Sequence, residues 1–290
     1  MPARPLHCGV VVYLHIPKTG GSSVAQSLLQ HSTGGRGWWQ ASVTGNSTWS
    51  SIVAKLRQRT RPKQIIIHHV DSPTALSSVA QLIKPLDCWL RSQHCRLVLT
   101  TTLRDAATRA TSAAYYNRVP HESYSAWVGE HARDGMLSFI LHNRVRASHV
   151  PNSTTVMSRP DLVHAESLLS EFDAVGRTEE MAAFLAYLQS LLVGGITNAT
   201  PAAAAGAFGS RRVNDTPEKQ KYELTADERA WTYELTALDA HLYSSFCSEA
   251  QQPGACTDAA RMRSSARRPS ASVLGETAGT DPPRFRCEAS

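Results

Sequence analysis

A short loop near the start of the chain carries the side chains best suited to bind an anion. It combines one lysine, two glycines and three hydroxyl residues at consecutive positions: Lys18, Thr19, Gly20, Gly21, Ser22 and Ser23. The glycines allow a tight turn and a close approach of the backbone to a ligand. The lysine supplies a mobile positive charge, and the hydroxyl groups supply hydrogen-bond donors. The pattern therefore predicts a site for a phosphate-sized anion.

The segments on either side of this loop predict how it is held. The apolar, β-branched run at residues 10–16 favours a buried strand, which Pro17 ends because proline cannot donate to the ladder. The apolar spacing from Val24 onward favours a helix, whose first unpaired N–H groups would point at the loop. In the common nucleotide-binding loop the lysine follows the last glycine. Here Lys18 precedes both glycines, which argues against an ordinary nucleoside triphosphatase.

Two further apolar runs also end in side chains that suit chemistry. Residues 64–67 lead into His68 and His69, and residues 96–103 lead into Arg104. Open α/β sheets place their sites beyond the carboxyl ends of buried parallel strands, so we expect these side chains to meet there. A histidine at that edge can act as a general base, and an arginine can hold a phosphate through two N–H groups. A histidine held structurally at a strand end is the competing interpretation.

The loop motif also has a family resemblance. Taken as one unit, His-Ile-Pro-Lys-Thr-Gly-Gly-Ser-Ser at residues 15–23 resembles the 5′-phosphosulfate loop of Golgi-type carbohydrate sulfotransferases, with the heparan sulfate 2-O- and 6-O-sulfotransferases as nearest kin. The resemblance implies a P-loop NTPase-like three-layer α/β fold with a central, mainly parallel sheet. It also implies a co-substrate, PAPS (3′-phosphoadenylyl sulfate), bound by the six loop residues named above.

Within that resemblance, a histidine after the second apolar run would be the catalytic base. His69 matches the family's Gly-His-Val segment, whereas His68 stands where glycine is usual, so both histidines remain candidates for the base. Lys18 would be catalytic as well as cofactor-binding, since it would stabilise the charge on the departing phosphate.

The same resemblance implies a second phosphate site after the third apolar run. Arg104 and Ser112, an arginine followed eight residues later by a serine, resemble the family's site for the 3′-phosphate. Arg109 also matches the family pattern, whereas Ala106 stands where proline is usual. Arg212, in the Arg-Arg-Val-Asn-Asp-Thr segment at 211–216, could close over the same phosphate.

The expected reaction is transfer of a sulfuryl group from PAPS to a carbohydrate hydroxyl, giving PAP and a sulfate ester without a metal ion. The expected partner is an anionic or neutral glycan of glycosaminoglycan type, not a nucleic acid. Two alternatives remain open: a Mg²⁺-dependent nucleotide phosphotransferase, and a non-catalytic relative that binds PAP or glycan. Only His68 and Ala106 hint at lost chemistry. The sequence does not indicate the sugar, the position sulfated or the oligomeric state.

Composition indicates a globular protein, and its shift toward the C-terminus indicates an appended tail. The 290 residues are 42% hydrophobic and 19% charged, with a net charge of +6 that suits an acidic ligand. We expect a sulfotransferase domain over residues 1–250 and a disordered Ser/Arg/Pro-rich tail over 251–290.

Compartment signals point in two directions. Four of six asparagines lie in Asn-x-Ser/Thr sequons, at positions 46, 152, 198 and 214, which favours passage through the Golgi lumen, as the resemblance does. Cys88 with Cys95, and Cys247 with Cys256, could close short disulfide loops there. Residues 1–16 show no signal or membrane anchor, and we expect no transmembrane segment in this chain; otherwise the protein would be cytoplasmic.

The remaining segments predict a mixture of helices and loops. Over residues 30–62 we expect a loop followed by a short helix around 51–59. We also expect a helix from Ser72-Pro73, an irregular region over 117–160 and a helix over 158–169. A short strand near 172–175 would lead into a helix capped by Thr178, and one last helix would begin at a capping box on Thr225.

Overall fold

The computed structural model describes residues 9–32, 39–43, 51, 54, 65–69, 76–142, 156–193 and 223–246. Its centre is a parallel sheet of five strands in the order β2-β3-β1-β4-β5. The strands are β1 (Gly9–Leu14), β2 (Trp39–Val43), β3 (Ile65–His69), β4 (Arg96–Leu103) and β5 (Ala174–Arg177). The predicted α/β fold with a central parallel sheet is confirmed.

Nine α-helices lie within the described residues. They are α1 (Gly21–Ser32), α2 (Leu76–Ser92), α3 (Ala106–Tyr116), α4 (Tyr124–His131), α5 (Gly135–His142), α6 (Arg159–Ser170), α7 (Met181–Val193), α8 (Ala226–Leu235) and α9 (Ala237–Phe246). Short 3₁₀ turns occupy His121–Ser123 and Thr178–Glu180.

The sheet lies between two helical layers, as alternate residues of β1 show. Val10, Val12 and Leu14 pack in one apolar cluster with residues of α2, α5, α6 and α9. Val11 and Tyr13 pack in a second cluster with residues of α1 and α7. Because successive strand residues face opposite sides of a sheet, both faces are covered and the strand reads as a continuous apolar run. The architecture is therefore the expected three-layer, P-loop-like one.

Two carboxylates join α5 to α9 by capping each other's helix. Asp134 Oδ1 accepts from the N–H groups of Leu238 (3.0 Å) and Asp239 (3.2 Å). In return, Asp239 accepts from the N–H groups of Met136 (2.9 Å) and Leu137 (2.8 Å). Both carboxylates are buried, so the N-terminal N–H groups of two neighbouring helices are satisfied inside the core.

Three predictions about elements were wrong. The polar and aromatic stretch before residue 62 contains β2, an edge strand paired with β3 over Trp39–Val43. The region predicted to be irregular contains α4 and α5. The α5 sequence did not predict a helix because α5 is buried and largely apolar, and so shows no amphipathic period. The last helix is divided into α8 and α9 at Thr236.

Other predictions are confirmed or fall outside the described residues. Helix α6 and the capping box on Thr225 are as predicted. Cys88 and Cys95 are both disulfide-bonded. Within the described ranges no helix is long and apolar enough to cross a membrane. Arg212, the four sequons, Cys247, Cys256, the Ser72-Pro73 helix start and the 251–290 tail lie outside the described residues, so the proposed domain boundary stays a prediction.

Candidate active site at the carboxyl edge of the sheet

The strand ends that carry most of the predicted site residues meet at the centre of the sheet. β1 is the central strand, with β3 paired on one side and β4 on the other, all parallel. The loop after β1, the end of β3 and Arg104 after β4 therefore meet at one edge. Parallel α/β sheets bind their ligands at such a topological switch point.

The loop between β1 and α1 turns sharply because two of its residues adopt left-handed backbone conformations. Lys18 has φ 68° and Gly20 has φ 86°. Thr19 is buried, and both its N–H (3.3 Å) and its hydroxyl group (2.7 Å) donate to the Ile16 carbonyl. In the described part of the chain the backbone N–H groups of Gly20, Gly21 and Ser22 have no acceptor. These N–H groups precede and begin α1, as an anion-binding loop requires.

Side chains at the ends of β4 and β5 donate hydrogen bonds to the carbonyl groups of this loop. Arg104 Nη1 donates to the Lys18 carbonyl at 3.1 Å. Thr102 Oγ1 donates to the Thr19 carbonyl at 2.7 Å, and Thr178 Oγ1 lies 2.8 Å from the same oxygen and 3.0 Å from the Leu103 carbonyl. Because its acceptors are engaged by the protein, the loop presents donors to a ligand.

The two glycines are needed for space as well as for conformation. A Cβ atom at position 20 would meet the end of Met181, and one at position 21 would overlap the ring of His15. Gly20 also has a positive φ, which side chains rarely adopt. The His15 ring therefore packs directly on the start of α1, a contact that the sequence motif did not reveal.

The Lys18 side chain reaches toward α3. Its Nζ atom lies 3.6 Å from the centroid of the Tyr116 ring. Burial, with a smaller contribution from the Arg104 charge, lowers the pKa of Lys18 to about 8. Ser112 is half-buried on α3, four residues before Tyr116, so the two lie on the same side of that helix. The structure thus brings together Lys18, Arg104 and the helix that carries Ser112.

The two candidate bases lie at the end of β3, next to the loop. In the backbone register His68 pairs with Tyr13, and His69 pairs with Leu14, the last residue of β1. Their side chains lie outside the described residues, so both histidines remain candidates. Arg212 is likewise outside.

Arg109 is not part of the site. Its side chain is 2% exposed; Nη2 donates to the Ala132 carbonyl at 3.2 Å, and Nε lies 3.7 Å from Asp239. The ion pair supports the α5–α9 junction, so Arg109 serves the core although its spacing matched the phosphate-site pattern. The sequence could not show this, because Asp239 is distant in the chain.

Thr178 and Glu179 connect the site to the C-terminal helices. Thr178 is not the predicted helix cap, because its hydroxyl group contacts the loop between β1 and α1 and the end of β4, and Arg177 precedes the 3₁₀ turn. The Glu179 carboxylate accepts from the Asp105 N–H (3.1 Å) and from the Tyr243 hydroxyl (3.0 Å). These contacts fix the backbone immediately after Arg104.

Asp105 begins α3 and is itself held by α8. Its Oδ1 accepts from the Thr108 N–H at 2.9 Å, and its Oδ2 accepts from the Tyr233 hydroxyl at 2.6 Å. Burial and the Asp105 carboxylate raise the pKa of Tyr233 to about 12, so this phenol stays a donor. Among the residues that the structure describes, no group of three or more His, Cys, Asp or Glu side chains is placed to hold a metal ion.

Comparisons with known proteins give likenesses to solved structures alone. No protein-family model matches the sequence, and no curated protein is similar to it. Among solved structures, the chain resembles mouse sulfotransferase SULT7A1 in complex with PAP, at 12% identity and a TM-score of 0.41, with 91% of each chain covered. The functional conclusions below therefore depend on the residues of the site.

Proposed function

We propose that this protein is a PAPS-dependent sulfotransferase that acts on a carbohydrate hydroxyl, with a glycosaminoglycan-like glycan as acceptor. The observation that carries the proposal is that two basic residues, each following one of two adjacent parallel strands, lie beside the same loop. The Arg104 guanidinium donates to the Lys18 carbonyl, beside the N–H groups at positions 20–22 that have no acceptor in the described chain. A donor that carries phosphates at the 3′ and 5′ positions of its ribose suits this arrangement.

Each phosphate of the donor has its own residues in the proposal. The 5′-phosphosulfate lies against the loop of Lys18, Thr19, Gly20, Gly21, Ser22 and Ser23. The 3′-phosphate lies between Arg104 and Ser112, because a guanidinium and a hydroxyl group together satisfy several phosphate oxygens. Arg212 is proposed as a further cation for the 3′-phosphate.

The proposed reaction is an in-line displacement at sulfur. The acceptor oxygen forms a bond to the sulfur atom, and the bond from sulfur to the bridging 5′-phosphate oxygen breaks. The hydroxyl proton passes to His69 or His68, and PAP leaves with the bonding electron pair. Lys18 and the loop N–H groups stabilise the charge that develops on the departing phosphate, which removes the need for a metal ion.

We also propose that the reaction takes place in the Golgi lumen. The four sequons and the disulfide-bonded state of Cys88 and Cys95 support an oxidising, glycosylating compartment. Mass spectrometry of protein secreted by cultured cells tests this assignment. Glycans on Asn46, Asn152, Asn198 or Asn214 are expected, and an unglycosylated chain would contradict it.

A radiolabel assay tests the function. The full chain is incubated with PAPS carrying labelled sulfur and with heparan sulfate, chondroitin and neutral oligosaccharides in parallel. Label is expected on at least one glycan, with activity lost on Lys18→Ala. Arg96→Ala is the control, because Arg96 lies at the amino end of β4, away from the site, where it pairs with Asp173. His69→Ala and His68→Ala assign the base.

The same assay separates the alternatives. Transfer of the terminal phosphate from labelled ATP with Mg²⁺, and none from PAPS, would replace the proposal with a phosphotransferase. PAP binding without transfer to any glycan would favour the non-catalytic relative.

A further inference from the structure

The Lys18 ammonium group contacts an exposed aromatic ring. Its Nζ atom lies 3.6 Å from the Tyr116 centroid, within the range of a cation–π interaction. Tyr116 is the last residue of α3 and is 53% exposed, an uncommon position for a large ring in this structure. The ring therefore holds the cation at the surface of the site, where an arriving ligand can compete for it.

Electrostatics explain why the Lys18 ammonium group lies against this ring. The Arg104 guanidinium, which follows β4, donates to the carbonyl of Lys18 itself, so a second positive side chain lies against the loop that carries Lys18. Partial burial raises the cost of the Lys18 charge, and the nearby Arg104 charge adds to that cost. The negative face of an aromatic ring offsets part of that cost without neutralising the lysine.

We propose that Tyr116 holds the Lys18 ammonium group in a resting position, and that the phosphates of the bound donor draw it off the ring. The inference rests on the proposed function for the identity of that donor. Ser112, proposed to contact the 3′-phosphate, lies four residues before Tyr116, about 6 Å along α3. A donor held by Ser112 therefore comes close enough to compete for Lys18. Tyr116 is a positioning residue that acts through Lys18.

This arrangement makes donor binding compete with the ring. Removing the ring is expected to tighten PAP binding about two- to fivefold, the effect of releasing one exposed cation–π contact. Tyr116→Leu removes the ring, whereas Tyr116→Phe retains it and serves as the matched control. Calorimetric titration with PAP measures both. Weaker binding by Tyr116→Leu, or equal binding by all three proteins, would overturn the proposal.

Lysine NMR observes the contact directly, without an activity measurement. The full chain is methylated at its lysines with a ¹³C label, and Lys18 is assigned by loss of its signal in Lys18→Arg. Six lysines are present, at 18, 55, 63, 84, 219 and 221, so the spectrum is simple. The Lys18 signal is expected upfield, because it lies over a ring, in the free wild type and in Tyr116→Phe. Tyr116→Leu should lack that shift, and PAP should abolish it in the wild type.

The outcomes distinguish this inference from the proposed function. An unshifted Lys18 signal in the free protein, or the same shift in Tyr116→Leu, overturns the resting contact. An upfield shift that persists at saturating PAP overturns the release. If calorimetry detects no PAP binding, the proposed function fails, while the resting contact is still decided by the comparison of free wild type with free Tyr116→Leu.

Discussion

Replacing Thr178 with valine tests whether the 3₁₀ turn after β5 positions the loop between β1 and α1. The Thr178 hydroxyl group lies 2.8 Å from the Thr19 carbonyl and 3.0 Å from the Leu103 carbonyl, so one side chain joins the loop after β1 to the end of β4. Valine has nearly the same shape but cannot donate a hydrogen bond. The change therefore removes the connection without creating a cavity.

The size of the stability loss depends on the hydrogen-bond donors that remain to the two carbonyl groups in Thr178→Val. The Thr19 carbonyl still accepts from Thr102 at 2.7 Å, so it is not left without a donor. The loss is that of a neutral hydrogen bond with partial desolvation, about 1–2 kcal/mol in the free energy of unfolding. Because a loosened loop must be ordered again when an anion binds, PAP affinity is expected to fall by up to about tenfold.

Urea denaturation and calorimetric titration with PAP measure these two quantities. Thr178→Ser is the matched control, since it retains the hydroxyl group and loses only a methyl group. The serine variant is expected to remain closer to the wild type in both measurements. Equal losses in the serine and valine variants, or none in the valine variant, would refute a role for the hydroxyl group.

Three further changes test the loop, the lysine and the core. Gly21→Ala is expected to cost about 1–3 kcal/mol in a denaturant titration, because the added Cβ would overlap the His15 ring; a fully stable variant would contradict this crowding. PAP affinity is expected to fall as the pH rises through about 8, where Lys18 loses its charge, and calorimetry should find no such fall for Lys18→Arg, which stays charged. Burial and the neighbouring Asp239 raise the pKa of Asp134 from 3.8 to about 6. The folded state then holds more protons than the unfolded state between these values, so this contribution to stability is lost as the pH rises through about 6. The urea midpoint of the wild type should carry this pH dependence, and that of Asp134→Asn should lack it. Identical pH profiles of the midpoint in the two proteins would contradict the raised pKa of Asp134.

The sequence predicted the centre of the sheet because buried parallel strands are apolar on both faces. β1, β3 and β4 read as continuous β-branched runs and lie where expected. β2 was missed because it is a short edge strand, Trp39–Val43, with polar residues among its five positions. The helix α5 was missed because a fully buried helix has no polar face to mark its period.

Local sequence patterns predicted the parts of the candidate site that lie in one motif or at one strand end, and they did not predict contacts between distant parts of the chain. The loop at residues 18–23 and Arg104 lie at one edge of the sheet, as their strand-end positions predicted. The roles of Thr178 and Tyr116 depend on contacts across the fold, which no local spacing encodes. Arg109 shows the converse: its spacing matched a phosphate site, but a distant carboxylate, Asp239, holds it in the core.

The most direct test of the account is a calorimetric comparison of PAP with ADP, without added magnesium, on the full chain and on Arg104→Ala. Both ligands carry two phosphates, but PAP has one at the 3′ and one at the 5′ position whereas ADP has both at the 5′ position, so only PAP carries the 3′-phosphate assigned to Arg104 and Ser112. The wild type is expected to bind PAP more tightly than ADP, Arg104→Ala to lose that preference, and Arg96→Ala, at the opposite end of β4, to keep it. Equal binding of PAP and ADP by the wild type, or no binding of either, would contradict the central claim.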